Sequence, residues 1–191
     1  MTWQSDEAFL AGLEFFSGVV RQVPEDGWEH QSACQGWRLI DVVGHVGGVV
    51  KFGTALMNGE KPPWSGAPES PGNAVEGDPA AWWSTLVGPA QKALAGADLA
   101  AVVDSPTGRR SIEEGLAFPA IDCFVHAWDI AHPLKISADI PSTAVAFAHN
   151  TLATIPDDLV RGPGVFGPSL EPPPGANEAD RFLAWTGRNA S

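Results

Sequence analysis

Two segments of the chain share one spacing: Asp41-Val-Val-Gly-His45 and Asp122-Cys-Phe-Val-His126. A carboxylate four residues before an imidazole lies on the same face of a helix. Both groups are donors for a divalent metal, and two facing helices could share one ion between them. Each pair also sits in an apolar run, where a polar or charged group is costly unless something satisfies it. The chemistry on offer is that of a metal with an open position, where a bound water or thiol loses its proton near neutral pH.

The two pairs are not equivalent. Asp41 falls at about the third position of its helix, where an acid completes a capping arrangement and meets the positive helix end. Outer-shell support for a metal is its second role. His45 is the only His of its helix, and taken alone a hydrogen-bonded core residue accounts for it. Asp122 and His126 combine two donor types, and Ile121, Phe124, Val125 and Trp128 surround them. A weak solvated ion pair is therefore a poor account of them. Asp129 follows His126 by three residues and could orient the second ring nitrogen, or stand at the surface as a plain acid. His132 lies about 240° around the helix from His126 and suits the helix end instead. His30 and His149 have no partner in the sequence, and Cys123 points away from Asp122 as a buried structural thiol. No nucleophile elbow, phosphate loop or dinucleotide fingerprint occurs.

Helices must carry these residues, and the periodicity supplies them. Ser5, Asp6 and Glu7 open a first helix with Phe9, Leu13, Phe16 and Val20 on its inner face, ending near Pro24. A second runs from after Trp37 toward Met57, with Val42, His45, Val46, Val49 and Phe52 or Gly53 inward. Asn58 to Gly77, rich in Pro and Gly, reads as one long loop with Trp64 in its middle. Asp78-Pro79 starts a third helix, to about Gly96, with Trp82, Leu86 and Leu94 inward. Ala100 to Asp104 and Arg109 to Ile112 suggest a small hairpin around Ser105-Pro-Thr-Gly108. A fourth helix from about Glu113 to His132 carries the second pair and stops at Pro133, with Pro119 as a kink or its true start. Pro141-Ser-Thr143 opens a helix to Ile155, and Asn177 to Thr186 a last short one. The expected architecture is an all-α four-helix bundle with a short hairpin and a C-terminal extension, in one domain over 1–191.

Composition narrows the partners. The chain has 191 residues, 44% of them hydrophobic and 18% charged, which describes a folded globule. A formal net charge of -12 argues against nucleic acid or an anionic membrane as partner. Two distant cysteines without a CxxC spacing fit a reducing cytoplasm. No signal peptide is visible, and no stretch is expected to reach the ~20 apolar residues of a membrane span.

Four segments occur in order: Ser32-Ala-Cys-Gln-Gly-Trp37, Asp41-Val-Val-Gly-His45-Val, Asp122-Cys-Phe-Val-His126-Ala-Trp-Asp-Ile-Ala131 and Arg181-Phe-Leu-Ala-Trp-Thr-Gly-Arg188. Together they resemble the metal-binding domain of mycothiol-dependent maleylpyruvate isomerase-type proteins, within the DinB/YfiT-like superfamily. The resemblance spans nearly the whole chain, and its most specific piece is His126-Ala-Trp-Asp-Ile-Ala. It implies a DinB-like bundle holding one divalent metal, usually zinc, through His45, Asp122 and His126, with water or a thiol in the open position. Three departures stand out. Asp122 replaces a Glu, one methylene longer; Arg38 replaces a capping Ser or Thr and should weaken that cap; and the sequence stops at Ser191, short of the isomerase's additional C-terminal domain, so maleylpyruvate is not inherited as substrate.

The leading expectation is a metal-dependent enzyme using a small thiol, mycothiol, as co-substrate against a small electrophile, as an isomerase or S-transferase. Trp64 and Arg109 or Arg110 are candidates for lid and anion contacts. Two alternatives use the same ligands: a metal-dependent hydrolase assisted by Asp129 or Asp41, and a non-catalytic metal-binding interaction module. Zinc leads the candidate ions, with nickel, iron and manganese behind it. A homodimer is left open, as is whether the site is catalytic at all.

Overall fold

The computed structural model describes residues 3–60, 70–105, 108–161 and 165–190. By contacts it divides into two compact units, Ser5–Ala138 and a second formed by Asp139–Ser191 with the residues ahead of Ser5. No linker composition marks that division. It follows the end of the long fourth helix, where Lys135 takes a left-handed backbone (φ 57°) that halts the helix.

The first unit is a bundle of four helices: α1 (Ser5–Val20), α2 (Leu39–Met57), α3 (Pro79–Gly96) and α4 (Ile112–Leu134). α1 packs on α4, α4 on α2, α2 on α3 and α3 on α1, closing a ring. The anticipated inner face of α1 is correct, since Phe9, Leu13, Phe16 and Val20 are almost wholly buried. Gly12 sits where α1 crosses α4, and a Cβ there would press on Cys123 and the carbonyl of Ala120. On α2 the buried face includes Val50 rather than the expected Val49, and Gly47 makes room for the Trp82 ring of α3. Trp83, overlooked from periodicity, is buried more deeply than Trp82 because α3 touches both neighbours. Its ring meets Phe16 edge-on, and its Nε1 donates to Ser17 Oγ on α1 at 2.8 Å.

Helix ends follow capping chemistry. Asp78 caps α3 by accepting from the Ala81 N–H at 2.7 Å, and Ser111 and Glu114 form a reciprocal box at the start of α4. Pro119 is therefore interior to α4 and does not mark its start, and Pro133 lies within the last turn and does not stop it. At α2 the Arg38 side chain accepts no cap hydrogen bond, as expected, and an ion pair stands in its place. The Arg38 N–H and its Nε both donate to Asp41 Oδ2, at 3.0 and 2.9 Å, so the guanidinium adds charge where a hydroxyl would stand.

α2 is long and apolar enough to cross a membrane by length and composition, contrary to the sequence expectation, yet more than half of that stretch is buried inside the fold. The long loop after α2 is not wholly irregular: Pro71–Ala74 forms a 3-10 turn that lies against Gly44 of α2. Trp64 lies outside the described residues. Strands β1 (Val102–Ser105) and β2 (Gly108–Ser111) pair antiparallel, with Val102 opposite Ser111 and Asp104 opposite Arg109, and lead directly into α4.

The second unit holds α5 (Ser142–Leu152), α6 (Asp157–Val160) and α7 (Glu178–Trp185). α5 packs on α7. Asn177 and Asp180 cap α7 reciprocally. Arg161 stacks on Trp185 and donates to the carbonyls of Gly167 and Trp185, fastening the irregular segment to the helix. Pro156 stands just before α6, where its fixed φ suits a helix start.

Candidate metal centre

Asp122, His126 and Asp129 succeed one another at four and three residues on α4, so all three fall within about 60° of one helix face. α2 packs against α4 and brings His45 to that face. One ligand atom from each of His45, Asp122 and His126 lies within 4.8 Å of the other two. The His45 Nε2 to Asp122 Oδ2 separation is 3.5 Å, longer than a well-formed hydrogen bond. Two donors about 2.1 Å from a tetrahedral ion stand roughly 3.4 Å apart, so this spacing suits a shared ion. The His45 and His126 ring centroids are 4.8 Å apart and nearly perpendicular.

His126 is held from behind. Its Nδ1 lies 2.8 Å from Oδ2 of Asp129, whose side chain has no solvent exposure. Pairing with a carboxylate assigns the proton to Nδ1 and leaves the Nε2 lone pair for a metal. Burial pushes the His126 pKa below its usual value, and outweighs the opposing hydrogen bond from Asp129. The ring is accordingly neutral at physiological pH, the state a metal ligand needs. The side chains of His45 and Asp122 each keep 24% exposure while that of His126 keeps 9%, so the trio opens to solvent on the His45 and Asp122 side. Two imidazoles and one carboxylate with an accessible side could hold a divalent ion through three ligands.

The loop before α2 supplies two further residues. Ser32 Oγ donates to the carbonyl of Trp37 at 2.7 Å and accepts from the N–H of Cys34 at 3.1 Å, closing a tight turn. Gly36 makes that turn with a left-handed φ of 82°, a conformation other residues rarely adopt. The Ala33 N–H donates to the backbone carbonyl of Asp129 at 2.9 Å, which ties the loop to α4. Trp37 is thereby placed beside both imidazoles, 4.9 Å from His45 and 6.1 Å from His126 between centroids. Cys34, half-buried, offers its sulfur within 4.8 Å of ligand atoms of His126 and Asp129. Neither position is legible in the residues alone. Both belong to the Ser32–Trp37 segment, but a loop has no periodicity that tells where a side chain will be aimed.

The other candidates fall elsewhere. Asp41 is not among the clustered ligand atoms; its carboxylate takes the Arg38 guanidinium, the Arg38 N–H and the Gly72 N–H. His132 stacks on Trp128 at 4.3 Å. Arg109 pairs across the hairpin with Asp104 at 3.7 Å. The Arg110 side chain lies against Gly115 near the start of α4, about two helical turns ahead of Asp122. Cys123 is fully buried, and that burial, with Asp122 adjoining, pushes its thiol well above the ordinary range.

A DinB-like helical bundle with two histidines and a carboxylate converging from facing helices is the class of protein that this fold and site define. The mycothiol maleylpyruvate isomerase N-terminal domain family matches residues 9–131, well over half of the chain, and the chain belongs to that family. Crystal structures of the mycothiol-dependent maleylpyruvate isomerase and of a histidine-to-alanine variant of it share the fold, at 18% and 17% identity with TM-scores of 0.58 and 0.59. Each comparison covers 75% of this chain and 65% of the other, so the chain spans just under two thirds of those proteins. No curated protein matches the chain.

Proposed function

We propose that this protein is a divalent-metal enzyme that uses a small thiol, mycothiol, as co-substrate and acts on a small electrophile as an isomerase or S-transferase. The observation that carries the reading is the trio itself. His45, Asp122 and His126 converge from two helices, one of them locked by Asp129, and the cluster stays open to solvent on one side. A closed structural site would have no such opening. Family membership and the fold shared with a mycothiol-dependent isomerase support the choice of thiol.

His45, Asp122 and His126 are the proposed ligands, with zinc the ion that best suits this donor set. Held there, the ion supplies Lewis acidity that keeps a thiol ionised near neutral pH. The chain's own residues do the rest. Asp129 fixes the tautomer and the ring plane of His126. Trp37 packs beside both imidazoles and limits water on that side. The exposed edges of His45 and Asp122 leave the approach for thiol and electrophile. This reading carries with it a reducing cytoplasm, where a small thiol stays reduced.

Elemental analysis of wild type beside His45→Ala and His126→Ala tests the ligand set. About one divalent ion per chain, lost in both variants, is expected; metal-free wild type that also refuses added zinc overturns it. Turnover of model electrophiles with and without mycothiol then tests the chemistry. Activity that needs the thiol is expected. Equal activity without it makes the protein a hydrolase, and activity in neither condition makes the site a non-catalytic element.

A further inference from the structure

The trio is not the only set of metal donors here. Cys34, His126 and Asp129 form a second, with one ligand atom of each within 4.8 Å of the other two. The two sets meet at His126 and differ in chemistry. The first offers two nitrogens and an oxygen; the second offers sulfur, nitrogen and oxygen, and its thiolate draws soft, thiophilic cations more strongly than nitrogen and oxygen donors do. Cys34 arrives from the loop that Ser32, Gly36 and the Ala33-to-Asp129 hydrogen bond hold in place, so its position is set by the fold. His126 and Asp129 are buried, which shields that side from competing water. The other cysteine, Cys123, is buried in the α1–α4 contact at Gly12 and, among the described residues, belongs to neither set.

We propose that Cys34, His126 and Asp129 form a second metal position, selective for thiophilic cations such as cadmium, that shares His126 with the first. Binding there replaces the Cys34 thiol proton by a sulfur–metal bond and releases it to solvent, while the His126 Nδ1 proton shifts to Nε2 and frees the Nδ1 lone pair beside Asp129. Asp129 turns from hydrogen-bond partner of His126 to ligand, so one chain holds a thiophilic ion or a zinc ion through His126, and not both.

Titration of metal-free protein with cadmium ion, read by ultraviolet absorption, tests this directly, because a metal–thiolate bond gives a charge-transfer band that nitrogen and oxygen ligands do not. Wild type and His45→Ala, which lacks a ligand of the first set, should both develop the band with about one cadmium per chain. Cys34→Ser should lose it, with cadmium affinity at least tenfold weaker, while still binding zinc. Absence of the band in wild type overturns the proposal, and so does a band of full intensity in Cys34→Ser. Zinc binding by Cys34→Ser reports separately on the first site, so failure of one position is not mistaken for failure of the other.

Discussion

At the scale of single residues, the decisive feature is the division of labour around His126. One face of its ring system meets Asp129 and the other is left for His45 and Asp122, because a helix sets residues three and four apart on one side. Asp129 touches no substrate and acts by positioning. Replacing it with Asn keeps the shape and a hydrogen-bond acceptor but removes the charge that holds the Nδ1 proton. Loss of such support weakens metal binding by about 10–100-fold in comparable sites. Asp129→Asn should therefore show that drop in zinc affinity by competition with a chromophoric chelator, with helical content unchanged. Affinity equal to wild type would remove Asp129 from the site.

At the scale of elements, α2 owes its start to Asp41. Burial by itself would raise that carboxyl, but the Arg38 side chain, the Arg38 N–H and the Gly72 N–H together outweigh burial and hold it below its ordinary value of 3.8. A carboxyl depressed on folding adds stability above its unfolded pKa and loses it as pH falls through the folded value. Asp41→Asn should cost about 1–3 kcal/mol near neutral pH, the range for hydrogen bonds to a buried charged group. Denaturant unfolding should find the gap between wild type and Asp41→Asn constant down to about pH 5 and closing below it. A gap that does not change with pH would mean that the carboxylate charge is not what Arg38 and Gly72 recognise. The same element explains two glycines. Gly44 and Gly47 carry no side chain because the Pro71–Ala74 turn and the Trp82 ring occupy the places where their Cβ atoms would be.

For the whole molecule, every proposed ligand, together with Asp129, Trp37 and Cys34, lies within Ser5–Ala138. The family match, residues 9–131, falls inside the same unit. A polypeptide of residues 5–138 should accordingly unfold cooperatively and bind zinc with the stoichiometry of the full chain. Circular dichroism with metal analysis checks both, and a fragment that is unfolded or binds no zinc would make residues 139–191 part of what holds the site.

The sequence alone was enough for the four bundle helices, the hairpin and the pairing of Asp122 with His126, since these rest on local rules. Apolar periodicity, Ser, Asp and Asn caps, and the fixed angle between residues four apart all act within a few residues of each other. Its misreadings of local structure were the stop at Pro133, which lies inside α4, and the irregular loop after α2, in which Pro71–Ala74 forms a turn against Gly44. What tertiary structure decided was everything that depends on a neighbour distant along the chain. Trp83 is buried because α3 has α1 on one side as well as α2 on the other. Asp41 is drawn into a cap with Gly72, 31 residues away. His45 meets the α4 pair only because α2 packs there, and Cys34 and Trp37 reach the site through a loop tied by one hydrogen bond to the backbone of Asp129. Periodicity tells which way a helix faces, but what it faces is settled by packing.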